Sequence, residues 1–167
     1  MYYLEFFSEL YRRKIKYLLV GGLSVNLYGV PRVTQDIDII ISLDKENILN
    51  LVSLLKNLNY IPRLPVNPED LADPQKREAW IREKNLTAFS FYHQKEHYKV
   101  VNIVLVHPLD FLKAYHQKTV KFAKDVEIYL VSLDDLISMK THSGRDQDKS
   151  DIDLLKRMKS LEGIDNE

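Results

Sequence analysis

Cysteine is absent from all 167 residues, which excludes disulfides, thiol nucleophiles and zinc–thiolate sites. An excess of either charge is absent as well. Lysine and arginine number 24, aspartate and glutamate 24, so no basic field over the whole domain draws nucleic acid, and only a local patch would do so. No apolar run approaches the roughly 18–20 residues needed to cross a bilayer. The first residues, "MYYLEFFSELYRRKIKYLLV", lack the basic start and small-residue cleavage site of a signal peptide, so the expected location is the cytoplasm. The six prolines are unevenly spread, with four of them in "YIPRLPVNPEDLADPQK", which reads as an irregular excursion or lid-like loop.

What is present suits one globular domain. A hydrophobic share of 45% is ordinary for a chain with a real core. Helical spacing of Tyr3, Phe6, Phe7, Leu10 and Tyr11 predicts an amphipathic first helix. "KYLLV" reads as a strand stopped by Gly21 and Gly22, and "LSVNLYG" as a short helix ended by Gly29 and Pro31. "DIDIIIS" is β-branched and predicts a central strand; "KENILNLVSLLKNL" predicts a helix. "EAWIREK" suggests a short helix in which Trp80 anchors the proline-rich excursion. "LTAFSFYH" and "YKVVNIVLV" read as two strands joined by a polar turn, and "TVKFAKDVEIYLV" as a hairpin turning at Lys124–Asp125. Ser132 is placed as an N-cap with Asp135 in the capping-box position. The last helix is expected over about residues 148–160, with Ile152, Leu154, Leu155 and Met158 inward. The fold class is therefore α/β (α+β): a mixed sheet with helices packed on it over residues 1–131, then a helical segment over 132–160.

One constellation carries chemistry. Side chains at i and i+2 of a strand share a face, so Asp36 and Asp38 lie together, opposite Ile37, Ile39 and Ile41. Two neighbouring carboxylates stay ionised only with a cation or a shared proton between them. Magnesium suits such a pair, because it takes hard oxygen ligands from one or two carboxylates plus substrate phosphates. Read alone, "DID" equally describes a solvated strand end or a pair with Arg32. The surroundings add to it. Gly21 and Gly22 open a helix with backbone N–H groups exposed and no side chains in the way of an anion. Ser24 adds a hydroxyl donor or a helix cap. A glycine pair, a serine, a short helix and a strand with two same-face aspartates set a phosphate cradle beside metal ligands.

"GGLS" followed by "PRVTQDIDI" resembles the signature of nucleotidyltransferases of the DNA polymerase beta superfamily. Arg32 and Thr34 ahead of the aspartates resemble its small bacterial members, related to abortive-infection and toxin–antitoxin nucleotidyltransferase-like toxins. The closing "DLISMKTHSGRDQDKSDIDLL" is similar to that group's last segment, at Lys140, Gly144, Arg145, Asp148 and Asp151. The resemblance implies the nucleotidyltransferase fold and transfer of NMP from an NTP to a hydroxyl of a tRNA-like RNA or a protein, with two Mg2+ ions. It implies Asp36 and Asp38 as metal ligands. It places Gly21, Gly22, Ser24, Arg32 and Thr34 around the nucleotide, and Lys140 and Arg145 against phosphate charge. An antitoxin partner is a further implication of that group. Lys140 and Arg145 also have a purely structural reading, an ion-pair network with Asp148 and Asp151.

The family's third carboxylate falls on a later strand, where this chain carries Asn102. A buried amide without partners costs roughly 1–3 kcal/mol, so Asn102 is expected at the site, ligating a metal through its carbonyl or bonding to Asp36 or Asp38. It cannot serve as a general base. A non-catalytic nucleotide- or partner-binding relative, disabled by Asn102, is therefore the alternative function, and an unrelated α/β domain the bland one. Among the isolated histidines, His142 lies near enough to Lys140 that it could reach the cleft, although an ordinary surface position is the expected one.

Overall fold

The computed structural model describes residues 3–165, with the side chains of 163–165 left aside. Seven strands form one sheet in the order β3-β4-β5-β2-β1-β7-β6. These are β1 (Tyr17–Val20), β2 (Ile37–Ile41), β3 (Tyr60–Pro62), β4 (Ala88–His93), β5 (Val100–Val104), β6 (Thr119–Ala123) and β7 (Val126–Leu130). The sheet is mixed: β1 pairs antiparallel with β2, while β2 with β5 and β1 with β7 run parallel. The helices are α1 (Tyr3–Arg12), α2 (Gly21–Leu27), α3 (Lys45–Asn57), α4 (Pro74–Lys84), α5 (Phe111–His116), α6 (Leu133–Ser143) and α7 (Asp146–Asp165).

β1 and β2 lie at the centre, so their residues are covered on both faces. Leu18, Leu19, Ile39 and Ile40 are fully buried, as expected of apolar runs without polar alternation. Phe6, Phe7 and Leu10 of α1 and Leu51, Leu54 and Leu55 of α3 complete that core. Tyr11, expected on the packed face of α1, is 54% exposed; it falls on the flank of the stripe set by Phe7 and Leu10. Caps fix the helix starts. The carboxylate of Asp44 accepts from Asn47 N, that of Asp110 from Lys113 N, and the Ser132 hydroxyl from Asp135 N, which satisfies amides that would otherwise lack partners.

The proline-rich excursion is not a loose lid. Tyr60–Pro62 forms the edge strand β3, and a 3-10 turn over Pro68–Ala72 buries Pro68 and Leu71. That turn packs on α3, and Trp80 of α4 stacks on Phe89 with ring centroids 5.6 Å apart. Prolines suit this course because they remove backbone donors that an edge position cannot pair. In α7, Leu155 is buried and Ile152 and Met158 are half-buried, but Leu154 is 37% exposed rather than inward. No described helix is long and apolar enough to cross a membrane.

Candidate functional site

Asp36 precedes β2 and Asp38 lies within it. Cross-strand register carries the site sideways. Asp38 stands opposite Asn102 of β5, and Asn102 opposite Ser90 of β4. Partners in register project to one face, so three strands present Asp38, Asn102 and Ser90 in a row. The Asn102 amide nitrogen donates to Asp38 Oδ1 at 2.8 Å and to Asp36 Oδ2 at 3.3 Å. Its carbonyl oxygen accepts from Ser90 Oγ at 2.6 Å. Of the two roles open to Asn102 from sequence, the one adopted is the bond to the carboxylates, not a carbonyl turned toward them. Burial raises the Asp38 carboxyl above its ordinary range, the Asn102 hydrogen bond opposes this, and the neighbouring charge of Asp36 adds to it. A buried carboxylate beside a second one is the arrangement that a bound cation relieves.

Gly21 and Gly22 form the first turn of α2 rather than a loop ahead of it. Gly21 sits at φ +71°, and a Cβ there would stand 2.2 Å from Asp38 Oδ2. Any side chain at 21 would displace that carboxylate, so the glycine is demanded by both backbone and space. A Cβ on Gly22 would come 2.8 Å from Thr34 Oγ1 and 3.3 Å from Arg32 Nε. Ser24 is fully buried and donates to the Gly21 carbonyl at 2.6 Å. It therefore secures the glycine turn from behind, and its hydroxyl is not presented to a ligand.

The segment 31–36 ahead of β2 is held at Arg32. Arg32 N donates to Asn26 Oδ1 at 3.0 Å, and the Arg32 guanidinium pairs with Asp151 of α7. Arg32 Nε is buried without a hydrogen-bond partner. Lys140 of α6 is 5% exposed and reaches Asp148 Oδ1 at 3.3 Å and Asp151 Oδ2 at 3.0 Å. Arg145 Nε meets Asp148 Oδ2 at 2.9 Å, although the Arg145 side chain is 72% exposed. The ion-pair network read as the structural role of Lys140 and Arg145 is thus formed, and it ties α6, α7 and the segment before β2 together. Burial alone would raise the Asp148 carboxyl, but bonds from Arg145 and Ser143 and the charge of Lys140 hold it down to about 2. A carboxylate whose folded value lies below its unfolded value, about 3.9, stabilises the fold above pH 4 and loses that contribution as pH falls toward 2. Asp148→Asn is expected to remove about 2 kcal/mol of the stability difference between pH 6 and pH 2, checked by urea unfolding across that range.

Two cavities meet at the aspartates. The smaller, about 340 Å³, is lined by Gly21, Gly22, Arg32, Thr34, Lys140 and Arg145. The larger, about 600 Å³, extends over β4 and β5 past Ala88, Val104, Val106 and Met139. Gly21, Asp36, Asp38, Lys140 and Arg145 line both. The larger also has His107 and His142 on its wall. His107 Nδ1 accepts from Leu109 N at 3.2 Å, which leaves the proton of the neutral ring on Nε2. Burial lowers its pKa, so that ring faces the cavity as a neutral donor. His142 is exposed on α6.

Every site residue expected from sequence except Ser24 and Asn102 therefore lines the smaller cavity, and Asn102 lines the larger. Ser90 and Asn26 were not foreseen. Ser90 sits as the polar member of "AFSFYH", where a hydroxyl between two buried phenylalanines on a strand is itself a signal. Among the described residues no cluster of three His, Cys, Asp or Glu side chains gathers for a metal.

Comparison with known proteins agrees with this fold. A search of curated protein sequences finds no match. Among solved structures, the lincosamide antibiotic adenylyltransferase LnuA in its lincomycin-bound form aligns over 94% of each chain, at 19% identity and a TM-score of 0.57. An antigenic nucleotidyltransferase-like protein from Paracoccidioides brasiliensis aligns over 95% of this chain and 73% of its own, at 18% identity and 0.55. ANT(2″)-Ia, in complex with adenylyl-2″-tobramycin, aligns over 93% and 90%, at 11% identity and 0.52. At such identities these likenesses establish the nucleotidyltransferase fold. The profile of a family described as nucleotidyltransferase of unknown function (DUF6036) matches residues 5–162. With nearly the whole chain matched and the fold in agreement, this protein belongs to that nucleotidyltransferase family.

Proposed function

We propose that the protein transfers NMP from a magnesium-bound NTP to a hydroxyl acceptor. The observation that carries this reading is the meeting of a cationic and an apolar cavity at two carboxylates. The triphosphate lies in the smaller cavity, against Gly21, Gly22, Thr34, Arg32 and Arg145, with the unpartnered Arg32 Nε as a ready donor. The acceptor enters through the larger cavity. RNA or protein, the acceptor classes suggested by the resemblance, would present a terminal nucleotide or a single side chain to a space of about 600 Å³. Of the neighbours named above, LnuA is lincomycin-bound and ANT(2″)-Ia is in complex with adenylyl-2″-tobramycin, so a small hydroxylated compound is a third acceptor class.

Asp36 and Asp38 fit magnesium: both are hard oxygen donors, and burial of Asp38 beside Asp36 favours a cation. When bound, the metal supplies charge neutralisation at the reacting phosphate. The chain supplies the rest. Arg145 swings from its exposed position to the phosphates, Lys140 holds α6 and α7 against the cleft, and His142 takes the acceptor proton that Asn102 cannot. The imidazole of His142 hydrogen-bonds to no other described residue, so both ring nitrogens are open.

Magnesium and NTP together are expected to raise the melting temperature more than either alone; a protein that melts identically in all mixtures would refute the reading. His142→Gln is expected to lower transfer by about 10²–10⁴, with NTP binding unchanged. A second reading, nucleotide binding with little turnover, is favoured by Asn102 alone and predicts binding without transfer.

A further inference from the structure

We infer that Asn102, oriented by Ser90, closes the position of a second metal, so that the site works with a single divalent ion brought in by the nucleotide. This inference rests on the nucleotide reading above. The amide spends both N–H groups on the carboxylates, one on Asp38 Oδ1 at 2.8 Å and one on Asp36 Oδ2 at 3.3 Å. The opposite orientation would set its carbonyl oxygen against two negative groups, and Ser90 Oγ already donates to that oxygen at 2.6 Å. The amide is therefore a crossbar. It holds the two carboxylates at a fixed spacing before any metal arrives and keeps one oxygen of each engaged.

The remaining oxygens, Asp36 Oδ1 and Asp38 Oδ2, are those free to receive an ion. Asp38 Oδ2 packs against Gly21, 2.2 Å from where a Cβ would stand, so the missing side chain is what lets that oxygen keep its place. One ion held there and by the triphosphate satisfies both carboxylates. A second ion would need an anionic third ligand, and the corner that would supply it offers hydrogen-bond donors. For Asn102 to ligate it, the amide must turn over, give up two charge-assisted bonds and abandon the Ser90 donor. Ser90 acts here as a positioning residue, since it touches the amide and not the substrate.

The metal count decides the matter and does not depend on turnover. The full chain is mixed with Mn2+ and, in turn, the α,β-imido analogue of each of the four nucleoside triphosphates, and the complexes are weighed by native mass spectrometry. The wild-type protein is expected to carry one Mn2+ per bound nucleotide and Asn102→Asp two. Two ions in the wild-type complex would overturn the inference while leaving the nucleotide reading intact. One ion in both proteins would overturn it also, because the amide would not then be what excludes the second. No nucleotide complex with any analogue would remove the nucleotide reading and this inference with it. If Asn102→Asp does not fold, the wild-type count alone decides, and Ser90→Ala adds an independent readout. Loss of the serine donor is expected to admit a second Mn2+ weakly at millimolar concentration, and a count fixed at one would deny Ser90 its role.

Discussion

Asp38→Asn is expected to abolish magnesium-dependent nucleotide binding while leaving the unliganded protein at least as stable as before. The two halves of this result have one cause. Asp38 is a largely buried carboxylate that stands beside Asp36, and both burial and that neighbour disfavour its charge. Neutralising it removes a cost from the empty protein, and the side-chain oxygen of an asparagine can still accept from Asn102. The same change deletes one of only two anionic ligands. A nucleotide at a hundred times its dissociation constant stabilises a protein by about 2.7 kcal/mol, worth roughly 5–11 °C in melting temperature for a chain of this size. That increment is expected in the wild type and not in the variant, measured by thermal melts with Mg2+ and NTP. A site that gains stability when it loses function is the ordinary signature of a strained binding centre. If the variant melts lower than the wild type without ligand, Asp38 belongs to the architecture instead.

Lys140→Met carries the second large effect, and it falls on stability. Lys140, Asp148 and Asp151 are 5%, 1% and 4% exposed. Removing the lysine leaves Asp148 with Arg145 and Ser143 and Asp151 with Arg32, both within a buried setting. Breaking one partner out of a buried ion pair costs about 3–5 kcal/mol, so the denaturation midpoint should drop by a large fraction of the total stability. Arg145→Ala is the control. Its side chain is 72% exposed, so its loss is expected to lower the midpoint much less than loss of Lys140 does and to weaken NTP binding. Equal destabilisation by both variants would show that Arg145 is as structural as Lys140.

Much of the site was legible because it is local. Period-two alternation put Asp36 and Asp38 on one face; the glycine pair reads as room for a phosphate, and at Gly21 that room is taken by the Asp38 carboxylate. Asn102 was legible for a different reason: a lone amide among β-branched residues needs partners, and it finds them in the two aspartates. What escaped depends on pairing between distant segments. Arg32 meets Asp151 across 119 positions, and no periodicity in either segment announces it. Ser90 becomes meaningful only once β4 and β5 are set in register. Ser24 reads as a phosphate donor in one dimension, but helix geometry turns its hydroxyl back on the Gly21 carbonyl. The proline-rich segment misled in the same way. Its composition suggests an open loop, whereas burial of Pro68 and Leu71, with Trp80 of the following helix, makes it part of the core.

The fate of the phosphates tests the central claim most directly. The protein is incubated with NTP labelled at either the α or the γ phosphorus, with total cellular RNA and protein or with hydroxylated small molecules as acceptors, in the presence and absence of Mg2+. NMP transfer at the carboxylate pair predicts that the α label enters an acceptor, that the γ label leaves as pyrophosphate, and that both events stop without Mg2+ or in Asp36→Asn, Asp38→Asn protein. Transfer of the γ label, or transfer of the α label that persists without Mg2+ and without both aspartates, would contradict it.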